Sequence, residues 1–300
     1  MNLPLLHEVG PRDGLQMESR VVPTEVKEAW LRRLLGSGLD LVQVGSFVHP
    51  EKVPQMADTD ELFRRLSGLP GPRATLSGLV LNEKGLDRAL ACGVELVCLG
   101  VSASDTHSRK NTGMGSGEAL QRIVATARQA LAAGRQVQVS VQSAFGCGFE
   151  GPVPDDRVLA MVRAYLEAGL DHVSLADTAG HAHPDQVKRL FGKVLALGPA
   201  QCTAHFHDTY GLGMANVYAA LGEGVACFET SFAGLGGCPF TKVAAGNVAT
   251  EDLAHGLRRA GRRQDLDLPA LIALAKDVAA FFQRDMTGRV HRTGPLEYVS

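Results

Sequence analysis

Eight short runs rich in Leu, Val and Ile alternate along the chain with longer segments of helical period, and this alternation constrains the fold more than any other feature. The runs are Leu5 to Val9, Leu39 to Val44, Ala74 to Val80, Leu96 to Val101, Gln136 to Val141, His172 to Ala176, Cys202 to Phe206 and Ala226 to Ser231. Segments such as Thr24 to Leu35, Ala119 to Ala132, Asp156 to Ala168 and Asn216 to Glu223 lie between them and read as helices. Parallel strands cannot be joined by a tight turn; each pair needs a crossover, and the helices supply it. Eight such units predict a closed (β/α)8 barrel of the TIM type, with a doubly wound open sheet as the alternative. Gly36-Ser-Gly38, Gly93, Gly134, Gly169 and Gly224 follow helices, where a left-handed residue ends one element and turns the chain toward the next strand.

No linker or low-complexity stretch divides residues 1–261, which are therefore expected to form one catalytic barrel. Residues 262–300 read as a C-terminal helical extension: a basic turn at Arg262-Arg263, an apolar helix from Pro269 to Phe282 and a polar tail. This extension is expected to pack on the barrel or on a second subunit of a homodimer or higher homo-oligomer. The 30 basic and 32 acidic side chains nearly cancel, which removes the electrostatic footprint of a nucleic-acid binder. Six cysteines without a CxxC pair argue against a zinc ribbon or a disulfide framework and for a reducing compartment. With no basic segment ahead of a long apolar run and no membrane-length apolar stretch, the expectation is a mature cytoplasmic chain.

In a barrel of this kind the reactive groups sit at the C-terminal ends of the strands, and here those ends are polar. The first strand runs into Gly10-Pro-Arg12-Asp13-Gly14, and the seventh into His205-Phe206-His207-Asp208. Residues two apart on a strand share a face, so the two imidazoles project together, as two ligands of one ion must. Asp13 supplies an oxygen ligand from the first strand, and Asn247, in the Gly-Asn-Val turn after the eighth, a second. Two nitrogens and two oxygens, with room for water, suit Mg²⁺ or Mn²⁺ better than a closed zinc site. Asp177 closes the sixth strand as an acid, a base or the cap of the next helix. Cys238 lies in a glycine loop, Gly234-Leu-Gly-Gly-Cys-Pro, ahead of a helix expected to begin near Asn247. Arg109 and Lys110, in a charged loop after the fourth strand, either meet phosphates or are solvated.

Taken together these residues resemble the 3-hydroxy-3-methylglutaryl-CoA lyase family of metal-dependent barrel lyases. The similarity rests on five ordered blocks: Glu8-Val-Gly-Pro-Arg-Asp-Gly-Leu-Gln16, Gly45-Ser-Phe-Val48 with Val53-Pro-Gln-Met56, His205-Phe-His-Asp-Thr-Tyr-Gly211, Gly234-Leu-Gly-Gly-Cys-Pro239 and Gly246-Asn-Val-Ala-Thr-Glu-Asp252. The resemblance implies an acyl-CoA substrate, a divalent metal (Mg²⁺ or Mn²⁺) on Asp13, His205, His207 and Asn247, and catalytic roles for Arg12, Asp177 and Cys238. It places Gln16, Gln43, Ser46 and Ser140 against substrate. Two positions depart from the pattern: Gln43 stands where the family carries Glu, and Ser140 where several members carry Tyr. A Gln hydrogen-bonds but exchanges no proton, so acid–base duty falls on Asp177 and Cys238. The alternatives are a lyase for another 3-hydroxyacyl-CoA and an acyl-CoA-binding homologue silenced at Gln43. A Claisen-type synthase is disfavoured, because Gly237-Cys238-Pro239 replaces the Gly-Glu-Arg loop of that group.

Overall fold

The structure, a computed structural model, describes residues 3–69, 74–237 and 246–297. Eight strands, β1 (Leu5–Glu8), β2 (Leu41–Ser46), β3 (Thr75–Leu79), β4 (Leu96–Ser102), β5 (Gln136–Gln142), β6 (His172–Asp177), β7 (Gln201–Phe206) and β8 (Cys227–Thr230), close a parallel barrel in sequence order. The helices are α1 (Thr24–Leu35), α2 (Thr59–Leu66), α3 (Glu83–Ala91), α4 (Asp105–Thr112), α5 (Ser116–Ala132), α6 (Asp155–Glu167), α7 (Pro184–Leu195), α8 (Gly213–Glu223), α9 (Thr250–Arg259), α10 (Leu268–Phe282) and α11 (Val290–Thr293). The open-sheet alternative is excluded by the pairing of β1 with β8.

One face of each strand packs beneath the helices in a continuous apolar shell that includes Leu6, Val42, Leu76, Val97, Val139, Leu175 and Phe206. The other face lines the inside of the barrel. Its lowest layer is apolar, built by Leu41, Leu96, Cys98 and Cys227. Above that layer the interior turns polar. Gln138 on β5 donates to Glu229 on β8 (2.6 Å), and His7 on β1 meets the Ser77 hydroxyl on β3 (2.7 Å). Neither pair joins neighbouring strands, so both contacts run through the barrel interior.

The extension packs on the barrel. Trp30 of α1 is wedged edge-on between Phe232, after β8, and Phe281 of α10, with ring centroids 5.9 and 5.4 Å away. Each such contact contributes about 0.5–1.5 kcal/mol beyond area burial. Arg263, of the expected basic turn, is buried and donates to Pro4 O, Gly38 O, Asp40 and Asp265. It ties the start of the extension to the strands' N-terminal side. Among the described residues no helix is long and apolar enough to cross a membrane.

Candidate active site

β1 leads into a wide helical turn, Gly10–Gly14, closed by the Asp13 N–H donating to Val9 O (2.7 Å). Only a glycine fits at its first position, because a Cβ on Gly10 would strike the Glu8 carboxylate and the Ser231 hydroxyl. The turn carries Asp13 over the barrel mouth. β7 delivers His205 and, one residue beyond its end, His207, and the two rings sit 5.1 Å apart. Asn247 pairs with His207 in an antiparallel backbone bridge. It lies three residues ahead of α9, which begins at Thr250 rather than near Asn247.

Ligand atoms of Asp13, His205 and His207 all lie within 4.8 Å of one another, and all three residues are buried. Asp13 Oδ2 is 3.8 Å from His207 Nε2, 4.0 Å from His205 Nε2 and 2.9 Å from the donating Asn247 Nδ2. Asn247 Oδ1 is buried without a hydrogen-bond partner among the described residues. A buried amide oxygen without a donor is costly, and a cation would satisfy it. Two imidazoles, a carboxylate and this oxygen therefore fit a divalent ion.

Burial alone would raise the Asp13 pKa, but Arg12 and the two histidines hold it well below the usual carboxylate range. Burial and the neighbouring His205 push His207 down to about 4, leaving the neutral imidazole that a metal requires. His205 moves the other way: burial opposes its charge, and the hydrogen bond and charge of Glu229, with Asp13, outweigh it.

Arg12 is fixed on two sides. Its Nη1 donates to Asp13 Oδ1 (2.5 Å), and its Nε donates to Oε1 of Gln43, a fully buried residue of β2. Gln16 donates to the same Asp13 oxygen at 3.3 Å, so it holds the carboxylate in place. Asp177 is fully buried, and its two oxygens accept the N–H groups of His181 (2.8 Å) and Ala182 (3.0 Å). Desolvation raises its pKa to about 6 against the pull of those N–H groups. Ser46 is buried at the end of β2, and Ser140 is half-buried on β5 in register with Gly100 of β4. Arg109 and Lys110 stand on α4, a helix rather than the expected loop. Arg109 pairs with Asp105 (2.8 Å), and the Lys110 ammonium lies 4.7 Å from the Phe149 ring centre. Cys238 lies outside the described residues.

Sequence reasoning missed the support beneath the Asp13–His205–His207 cluster. Glu229 Oε2 is 2.8 Å from His205 Nδ1, while its other oxygen accepts from Gln138 and lies 3.8 Å from His7. Burial raises the cost of that carboxylate's charge, yet His205 and its neighbours bring its pKa down to about 2. A carboxylate on Nδ1 fixes the tautomer that leaves Nε2 free for a metal. The available signal was a polar residue interrupting four of the apolar runs: His7, Gln43, Gln138 and Glu229. Glu229→Gln is expected to weaken Mn²⁺ binding by roughly 10–100-fold, measured by titration calorimetry. Unchanged affinity would reduce Glu229 to a packing residue.

The fold and the site define a (β/α)8-barrel enzyme with a buried carboxylate–histidine cluster at its mouth that could hold a metal ion. The chain belongs to the HMGL-like family, whose model matches residues 4–278. It is similar to the hydroxymethylglutaryl-CoA lyase YngG of Bacillus subtilis, 37% identical over 90% of both chains. A 3-hydroxy-3-isohexenylglutaryl-CoA/hydroxymethylglutaryl-CoA lyase of Pseudomonas aeruginosa is 40% identical over 93% of this chain and 94% of that relative. Among solved structures, an HMG-CoA lyase of Acinetobacter baumannii in complex with coenzyme A and 3-methylmalate superposes with a TM-score of 0.92. It is 36% identical, and the match covers 99% of this chain and 98% of that one. The chain is thus a carbon–carbon lyase.

Proposed function

We propose that the chain cleaves a 3-hydroxy-3-methylglutaryl-CoA-like thioester to acetyl-CoA and a 3-keto acid, which is acetoacetate when the C3 substituent is methyl. The observation that carries this reading is Arg12, held by Gln43 and Asp13 beside the Asp13–His205–His207 cluster. Asp13, His205, His207 and Asn247 would hold Mg²⁺ or Mn²⁺, which would supply Lewis acidity to make the C3 hydroxyl more acidic. Asp177 takes the hydroxyl proton; its pKa of about 6 suits a group exchanging protons near neutrality. The C2–C3 bond breaks, its electron pair passes to the thioester as an enolate, and C3 becomes the ketone. Arg12 meets the enolate charge. Cys238 returns a proton to C2, giving acetyl-CoA.

A second reading, a larger C3 substituent, rests on one feature: Ser140, in register with Gly100 of β4, is a small residue, although the Ser140 hydroxyl and the Gln142 amide fill the space over Gly100. The test is a panel of 3-hydroxy-3-alkylglutaryl-CoA thioesters, methyl to isohexenyl, assayed with Mn²⁺ and with chelator. Metal-dependent cleavage is expected, with kcat/KM falling as the pH drops below about 6 and Asp177 becomes protonated. Chelator-resistant cleavage would overturn the metal assignment.

A further inference from the structure

The C-terminal extension touches the site through one short segment. After β8 the chain makes a tight turn, Phe232–Gly234, in which Ala233 sits at φ 57° and Gly234 at φ 69°. A left-handed alanine is strained and persists only when its surroundings hold it. Here three groups do so. The Ala233 N–H donates to Glu251 on α9 (3.0 Å), and its carbonyl accepts the Gly288 N–H (3.1 Å). The Thr287 hydroxyl donates to the Gly234 carbonyl at 2.8 Å. The extension is itself pinned to α9: His291 meets the second oxygen of the buried Glu251 (3.1 Å), and Asp252 accepts the N–H groups of Arg289 and Val290. Gly288 fits only as glycine, since a Cβ there would strike Glu251.

The strained turn leads directly to a candidate ligand. Leu235, the next residue, offers its carbonyl to both the backbone N–H (3.3 Å) and the side-chain Nδ2 (3.0 Å) of Asn247. The Gly234 carbonyl packs against Gly246 so closely that a Cβ on Gly246 would collide with it. Thr287 and Asn247 thus bond consecutive peptides of one turn.

We propose that Thr287 and Glu251 are positioning residues for the reaction: through the Ala233–Leu235 turn, the C-terminal segment holds the Asn247 side chain in the orientation that leaves its Oδ1 free for a metal. This inference rests on the reading of Asn247 as a ligand, and its test separates the two. Mn²⁺ affinity of the full-length apoprotein is measured by calorimetry for wild type, Asn247→Ala, Thr287→Val, Thr287→Ser and Glu251→Gln. Affinity is expected to fall about tenfold in Thr287→Val and Glu251→Gln, on the scale of outer-shell partners of a metal site, and to be retained in Thr287→Ser, which keeps the hydroxyl. The Asn247 side-chain NH₂ resonances should shift in Thr287→Val before any metal is added, which a merely stabilising contact would not cause. Loss of affinity in Asn247→Ala with wild-type affinity in Thr287→Val overturns the inference and leaves the ligand reading intact. Wild-type affinity in Asn247→Ala overturns the ligand reading and the inference with it. Should Thr287→Val fail to fold, Glu251→Gln and Thr287→Ser decide: weakening in the first and retention in the second support the inference, and any other result overturns it.

Discussion

His205→Ala is expected to lose bound metal on dialysis and to lower turnover by about a thousandfold or more. His205 is the member of the proposed ligand set on which the interior network converges: its Nδ1 meets Glu229 and its Nε2 lies 4.0 Å from Asp13. Lewis acidity supplies several kcal/mol to a reaction of this kind, and each ~1.4 kcal/mol is a factor of ten in rate. The substitution also leaves the buried Glu229 with Gln138 and His7 alone, so near-ultraviolet circular dichroism should accompany the metal analysis to show that the barrel is intact. Stoichiometric metal in a folded His205→Ala protein would remove His205 from the ligand set.

Arg12→Lys should lower kcat by ~10²-fold while leaving KM near the wild-type value, on the scale of removing one donor to a developing anion. Lysine keeps the charge but loses the planar fork with which Arg12 reaches Asp13 and Gln43 at once. In the proposed reaction the enolate charge assigned to Arg12 exists mainly in the transition state, so the loss belongs in kcat. Steady-state kinetics on the thioester substrate decide the point: a rise in KM alone would make Arg12 a docking residue.

The barrel was legible because strand and crossover leave different periods in the sequence, and each predicted run lies within two residues of an observed strand at both ends. The pairing of His205 and His207 followed from strand geometry alone. What was not legible has physical causes. α4 reads as a charged loop because it buries only His107 and Ser108, so no apolar stripe betrays it; the Ser104 cap and the left-handed Gly113 define its ends. The burial of Arg263 was not legible because three of its acceptors, Pro4 O, Gly38 O and Asp40, lie far away in sequence and meet it only on folding. Glu229 and Gln138 are separated by 91 residues, and their meeting depends on barrel closure. The Gln43–Arg12 hydrogen bond, by contrast, is the contact expected of a Gln that steadies Arg12 without exchanging a proton.

That contact bears on whether a chain with Gln43 is an active lyase. The direct measurement is acetyl-CoA and acetoacetate formation from 3-hydroxy-3-methylglutaryl-CoA by the wild type and by Gln43→Glu, each with Mn²⁺ and with chelator. The two side chains are nearly isosteric, so the comparison isolates charge and proton exchange. The wild type is expected to form the two products one for one in a metal-dependent reaction, with Gln43→Glu within about tenfold of its rate. A wild type that forms no product, while Gln43→Glu cleaves the thioester, would contradict the account.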